Sequence, residues 1–189
     1  MANRILIIFA HPALERSRVH RRLIQVPRSM SGVTVHDLYQ CYPEFYLDVD
    51  REQGLLLEHD VVVFQHPFYW YSAPAIVRQW QDMVLQHGWA YGSEGTQLRG
   101  KGTMHVVSCG GGKAAYRAGG HNRFSIGEFL RPFEQTAALC GMQWRAPFVV
   151  FDTLRLPTEQ IDEHCGRYEA LLTELREAPF ETPAARGPE

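Results

Sequence analysis

Residues 4–12 read RILIIFAHP, six apolar side chains in succession between an arginine and a His-Pro pair. The run is too short to cross a membrane and lacks the alternation of a strand with one wet face. It is the pattern of a strand buried on both faces of a parallel sheet. Four similar runs follow, at Val33–Leu38, Asp60–Gln65 (DVVVFQ), Thr103–Ser108 (TMHVVS) and Pro147–Phe151 (PFVVF), so five strands are expected.

Between these runs the apolar period becomes helical. Val19, Leu23 and Val26 share one stripe, and Ile76, Val77, Trp80, Met83 and Val84 another. Ser125 followed by Glu128 reads as a capping box; Pro132 divides that helical region and Gly141 ends it. Ile161, Tyr168, Leu171, Leu172 and Leu175 form a last helical face. One domain over residues 3–176 is expected, with a proline-rich, unpatterned tail at 177–189 read as disordered. Strand and helix alternating without internal repeats predict a doubly wound, three-layer α/β/α domain with strand order 2-1-3-4-5. Ligands of such sheets sit beyond the carboxyl ends of the strands where the winding reverses, which selects the loops after strands 1, 3 and 4.

The composition agrees. The chain has 189 residues, 45% hydrophobic and 21% charged, enough for one self-sufficient core. Nineteen basic against 21 acidic residues leave no general positive surface for nucleic acid. The four cysteines, at 41, 109, 140 and 165, form no C-x-x-C pair, and no charged leader with a long apolar run opens the chain, so a cytoplasmic protein with reduced thiols is expected. No stretch is long and apolar enough to span a bilayer, so association with a membrane would have to pass through a partner protein.

Several signals are set aside. Gly95–Lys101 (GTQLRGK) nearly matches a P-loop, but Gly102 stands where the magnesium-binding Ser or Thr belongs, and the segment leads into a strand instead of a helix. Nine histidines show no zinc-ligand spacing, and no G-x-S-x-G elbow is present. Trp80, Trp89 and Trp144 read as core or interface aromatics.

The three selected loops differ in chemistry. In the first, HPALERSRVHRR, Ser17 caps the following helix and turns backbone N–H groups toward an anion, with His11 as a further donor. Taken alone, Ser17 reads first as a simple cap and His11 as a loop histidine. The second loop, HPFYWYSAPA, carries four consecutive aromatics, Phe68 to Tyr71, framed by Pro67 and Pro74. Such a loop suits a flat ligand. The third, SCGGGKAAYRAGGH, lets the backbone at Gly110, Gly111 and Gly112 approach a ligand closely, with Tyr116 and His121 as candidate proton donors. An anion end, an aromatic wall and a polar backbone edge together are the requirements of a phosphorylated planar cofactor such as FMN.

The strings FYWYSAPAIVRQWQDMVLQHGWAYG and VVSCGGGKAAYRAGGH, with a first strand ending in AHP, resemble the flavodoxin-like NAD(P)H:quinone oxidoreductases of the DT-diaphorase type. HDLYQCYPEF and QHPFYWYS more closely resemble the ancillary proteins of bacterial glutathione-regulated potassium-efflux systems. The resemblance spans roughly residues 3 to 175 and implies a flavodoxin-like FMN-binding domain. It implies that His11, Ser17, Arg18, Val19 and His20 hold the phosphate, that Pro67, Phe68, Tyr69, Trp70 and Tyr71 meet the isoalloxazine ring, and that Ser108, Cys109, Gly110 and Gly111 contact its edge. Tyr116 and His121 are similar to residues that assist hydride transfer. His20 stands where many relatives carry asparagine, and Ser108-Cys109 replaces the usual Thr-Thr; Cys109 reads as a small buried apolar residue.

Two functions follow as expectations. One is an FMN-dependent NAD(P)H dehydrogenase (quinone), taking NADH or NADPH as donor and a quinone-type acceptor, as a homodimer. The other is a flavin-binding regulator that activates a membrane potassium/proton antiporter with little or no turnover, peripheral at the inner membrane through that partner.

Overall fold

A computed structural model describes residues 2–177. The tail expected at 177–189 lies, apart from Glu177, outside the described residues. The strands are β1 (Ile5–Phe9), β2 (Val33–Asp37), β3 (Val61–Pro67), β4 (Gly102–Ser108), β5 (Gln143–Trp144) and β6 (Phe148–Val150). The helices are α1 (His20–Leu23), α2 (Gln25–Ser29), α3 (Leu38–Cys41), α4 (Val49–Glu58), α5 (Ala75–Val84), α6 (Ile126–Phe129), α7 (Arg131–Leu139) and α8 (Thr158–Glu177).

All strand pairs of the sheet are parallel, in the order β2-β1-β3-β4-β5, with β6 also pairing to β4. The expected order holds, but the expected fifth strand at 147–151 is a pair of short pieces. Gly102 and Thr103 pair with Gln143 and Trp144, whereas Val106 to Ser108 pair with Phe148 to Val150. Three residues, 145–147, therefore face only two of β4, which is the arithmetic of a bulge. Pro147 has no N–H to give the ladder, so the break falls beside it.

Every residue of β1 is at most 1% exposed. Leu6 and Ile8 enter one layer with Leu56, Ile76, Trp80 and Phe133, while Ile5, Ile7 and Phe9 enter the other with Leu23, Ile161, Tyr168 and Leu172. The helix expected after β1 is broken into α1 and α2, with Pro27 inside the second piece. Met83 leaves the predicted stripe of α5 and is exposed, while Ile76, Val77, Trp80 and Val84 are buried as read. The capping box at Ser125 and Glu128 forms, and α7 begins afresh around Pro132. The P-loop look-alike at 95–101 is a connecting loop before β4.

Helix α4 escaped the periodicity reading because its core-facing side carries a carboxylate. Glu52 is 1% exposed and accepts from Tyr42 Oη (2.6 Å) and Trp80 Nε1 (2.7 Å), with His36 Nε2 2.7 Å away. Burial alone would raise its pKa, but the donors from His36, Tyr42 and Trp80 outweigh it and hold the carboxyl below its usual range. Replacing Glu52 by Ala strands these donors in the core and is expected to cost about 3 kcal/mol in urea unfolding at pH 7. Because the folded-state pKa is depressed, that contribution is complete above the unfolded value of about 4.5 and is lost as the pH falls through the folded one. The gap between wild type and variant is therefore expected to narrow as the pH falls, the stranded donors of the variant keeping the remainder; a gap that does not change with pH would contradict an ionised Glu52.

Candidate functional site

The winding reverses at β1, which lies between β2 and β3. The loops leaving β1, β3, β4 and β6 meet there and enclose two clefts. The first, about 490 Å³, is lined by His11, Ala13, Arg16, Ser17, Arg18, Val19, Pro67, Phe68, Tyr69, Ser108, Gly110, Thr153 and Leu154. The second, about 330 Å³, is lined by Phe68 to Tyr71, Gly110, Gly111, Tyr116 and Asn122. Phe68, Tyr69 and Gly110 belong to both, so the two form one crevice.

At the first end, Ser17 Oγ accepts from His20 N at 3.0 Å, closing the turn that starts α1. Among the described residues no protein acceptor meets the intervening N–H groups of Arg18 and Val19. His11 Nδ1 accepts from Ala13 N at 3.1 Å, which places the proton of the neutral ring on Nε2 as a free donor. Burial lowers the His11 pKa, against an opposing pull from Glu15. His20 lies behind this wall, fully buried, its Nε2 without a partner and its Nδ1 3.4 Å from Gln65 Nε2. Burial first, then the neighbouring His11 and His66, push its pKa well down. The Arg18 guanidinium donates to the Leu156 carbonyl at 2.9 Å; the Arg16 side chain, 86% exposed, has its Nε 3.8 Å from Glu15 Oε1.

The aromatic loop is launched from a buried histidine pair. Pro67 O can only accept, so His66 Nδ1 donates to it (3.0 Å), and His66 Nε2 then accepts from His105 Nδ1 at 2.9 Å. Burial drops His66 to about 4, keeping the pair neutral. Beyond it, Trp70 and Tyr71 adopt φ of 50° and 61°, a left-handed conformation that costs bulky residues of order 1–2 kcal/mol each. Tyr71 stacks on Phe129 of α6, with ring centroids 5.1 Å apart, and Phe68 packs edge-on to Tyr116. Trp70 is 93% exposed and rims the second cleft.

At the third loop, Cys109 N donates to Val150 O, while Asp152 N and Thr153 N donate to Gly111 O and Cys109 O. The loop after β6 is thereby laced to the glycine turn. A Cβ on Gly111 would stand 3.2 Å from the Tyr116 ring, so a side chain there would press on the ring that lies against the backbone. Cys109 is buried on the core side beside the Tyr116 hydroxyl and lines neither cleft; burial raises its thiol to about 12. Burial, then Cys109, raise the Tyr116 phenol as well, so it is a protonated donor at neutral pH.

Of the residues singled out by sequence, the structure brings His11, Ser17, Arg18, Val19, Pro67, Phe68, Tyr69, Trp70, Tyr71, Ser108, Gly110, Gly111 and Tyr116 to the crevice. His20 and Cys109 lie behind it, and His121 is exposed and outside both linings, where Asn122 stands instead. Ala13, Arg16, Thr153 and Leu154 were missed. The last two had a signal, since the carboxyl end of the fifth strand borders the same edge as the others.

The chain belongs to the flavodoxin-like fold family, whose profile matches residues 3–172. The glutathione-regulated potassium-efflux system ancillary protein KefG of Serratia proteamaculans is 44% identical to it over 165 residues, 87% of this chain and 90% of that protein. General stress protein 14 of Treponema denticola, solved in complex with FMN, superposes with a TM-score of 0.87 at 40% identity, over 91% of this chain and 99% of that one. An NADPH-quinone reductase of P. pentosaceus superposes at 0.81 with 34% identity, over 89% and 96%.

In an NMR titration of the imidazole Cε1 protons, His11 is expected to have its midpoint below 6.5 and His20 further below it. A midpoint above 6.5 at either ring would contradict the buried, neutral setting described.

Proposed function

We propose that the crevice binds FMN, phosphate toward the first cleft and ring toward the second, and that the protein is an FMN-dependent NAD(P)H dehydrogenase (quinone). The single observation carrying this reading is the continuity of three unlike surfaces in one crevice: unmet N–H groups with His11 and Arg16, the Phe68–Tyr71 wall, and the Gly110–Gly111 edge. The residues fit the group. A phosphate dianion has Ser17 and the Arg18 and Val19 N–H groups to accept from, and a planar ring system can approach the backbone where Gly110 and Gly111 carry no side chain.

When bound, FMN supplies reversible acceptance of a hydride from NADH or NADPH and its delivery as two electrons to a quinone-type acceptor. The chain's own residues bind, shield and protonate. His11 and Ser17 anchor the anion, Phe68 and Tyr69 exclude water from one side, and Tyr116 holds a proton at its Oη for negative charge developing in the crevice. His121, outside both clefts, receives no role in this reading. A homodimer belongs to it, with Trp70 and Phe124 as exposed apolar side chains for a second copy to cover.

The likeness to KefG favours a second, compatible role as ancillary subunit of a membrane potassium/proton antiporter. Among the described residues no helix is long and apolar enough to cross a membrane, so contact with the bilayer would run through that partner.

By quenching of flavin fluorescence, FMN is expected to bind about 100-fold or more tightly than riboflavin, since two charge-assisted hydrogen bonds contribute about 3 kcal/mol or more. Equal affinities, or no binding, would sink the phosphate assignment. Tyr116→Phe is expected to keep FMN but lower quinone-dependent NAD(P)H oxidation about 100-fold. If efflux activation survives in that variant, docking and turnover are separate functions of the chain.

A further inference from the structure

Outside the crevice, three side chains from different elements form a line. Cys41 Sγ, at the end of α3, lies 3.8 Å from His36 Nδ1 of β2, and His36 Nε2 lies 2.7 Å from Glu52 Oε1 of α4. Glu52 also accepts from Tyr42 and Trp80, so its carboxylate is fixed in place and, held below its usual pKa, is an acceptor only. In the neutral His36 ring, Nε2 carries the proton toward Glu52 and Nδ1 presents a lone pair toward the thiol. Nucleophile, base and orienting carboxylate stand in the order that activates a thiol, and none of the three lines either cleft.

The other cysteines lack this arrangement. All four are free thiols. Cys109 and Cys140 are buried, with burial raising them to about 12 and 11. Cys165 is partly exposed like Cys41, but burial and then the neighbouring Asp162 carboxylate raise its pKa.

We infer that Cys41 is a covalent modification site for α,β-unsaturated carbonyl compounds, with His36 as its base and Glu52 as the group that orients the base. Addition to an activated alkene asks for no oxidant, leaving group or second thiol, none of which the site offers. The Cys41 Sγ bonds to the β-carbon as the C=C π bond breaks, and the thiol proton passes through His36 Nδ1 to the α-carbon. The S–H has then added across the double bond, with nothing left over. This inference is independent of flavin binding.

The test exposes the folded protein to acrylamide at pH 7 and follows each cysteine by peptide mass spectrometry. Cys41 is expected to be alkylated about tenfold or more faster than Cys165, a factor well under the roughly 100-fold at which a fully positioned base begins to contribute. His36→Gln, which can still donate to Glu52, is expected to slow Cys41 by a similar factor while Cys165 keeps its rate and reports an intact fold. A wild-type Cys41 no faster than Cys165 overturns the inference, as does an unchanged Cys41 rate in a folded His36→Gln protein. Should that variant unfold, seen as a faster Cys165, the wild-type ratio alone decides.

Discussion

The structure rests on the burial of β1, β3 and β4 on both faces. Strands joined by helices that cross over the sheet run parallel, and those helices cover both faces. Every strand then ends on the same edge, and the residues released there, His11, Phe68 and Cys109, begin loops only one or two strand spacings apart. The crevice is thus a consequence of how the apolar runs are hidden, and the chemistry of the loops is laid onto a rigid floor. With the winding reversing at β1, no crossover covers the gap between the loops after β1 and β3.

The floor of that edge contains buried polar side chains, most of them paired through the chain, His20 Nε2 being the exception. Gln65 links His20 to Tyr168 of α8, whose hydroxyl donates to it at 3.0 Å. His66 and His105 tie β3 to β4 and orient the Pro67 carbonyl where the aromatic loop departs. These neutral pairs avoid the cost of burying charge while fixing the directions in which the strand ends point. The left-handed residues Trp70 and Tyr71 are held by the loop's own Tyr69 N to Pro67 O and Ser72 N to Tyr69 O hydrogen bonds and by Phe129 stacked on Tyr71.

Much of this was legible in the residues. Continuous apolar runs mark doubly buried strands, so strand order and the three loops followed from periodicity and connection rules, and most of the expected loop residues line the crevice. The failures have physical causes. Helix α4 hides behind Glu52, a carboxylate in a core position that no hydrophobic pattern anticipates. The last strand splits because a bulge and Pro147 interrupt a ladder that sequence reads as one run. His20, Cys109 and His121 depend on which way a side chain turns, and loop sequence carries little information about that. Family resemblance placed them near the site; only the packing separates the wall from what stands behind it.

The central claim is a phosphorylated flavin lying along the crevice at the carboxyl edge of the sheet. A crystal structure of the protein grown with FMN tests it most directly. The account predicts the phosphate against the Ser17–Val19 turn and the ring between Phe68–Tyr69 and Gly110–Gly111. FMN bound elsewhere, or a crevice that excludes it at saturating concentration, would contradict the account.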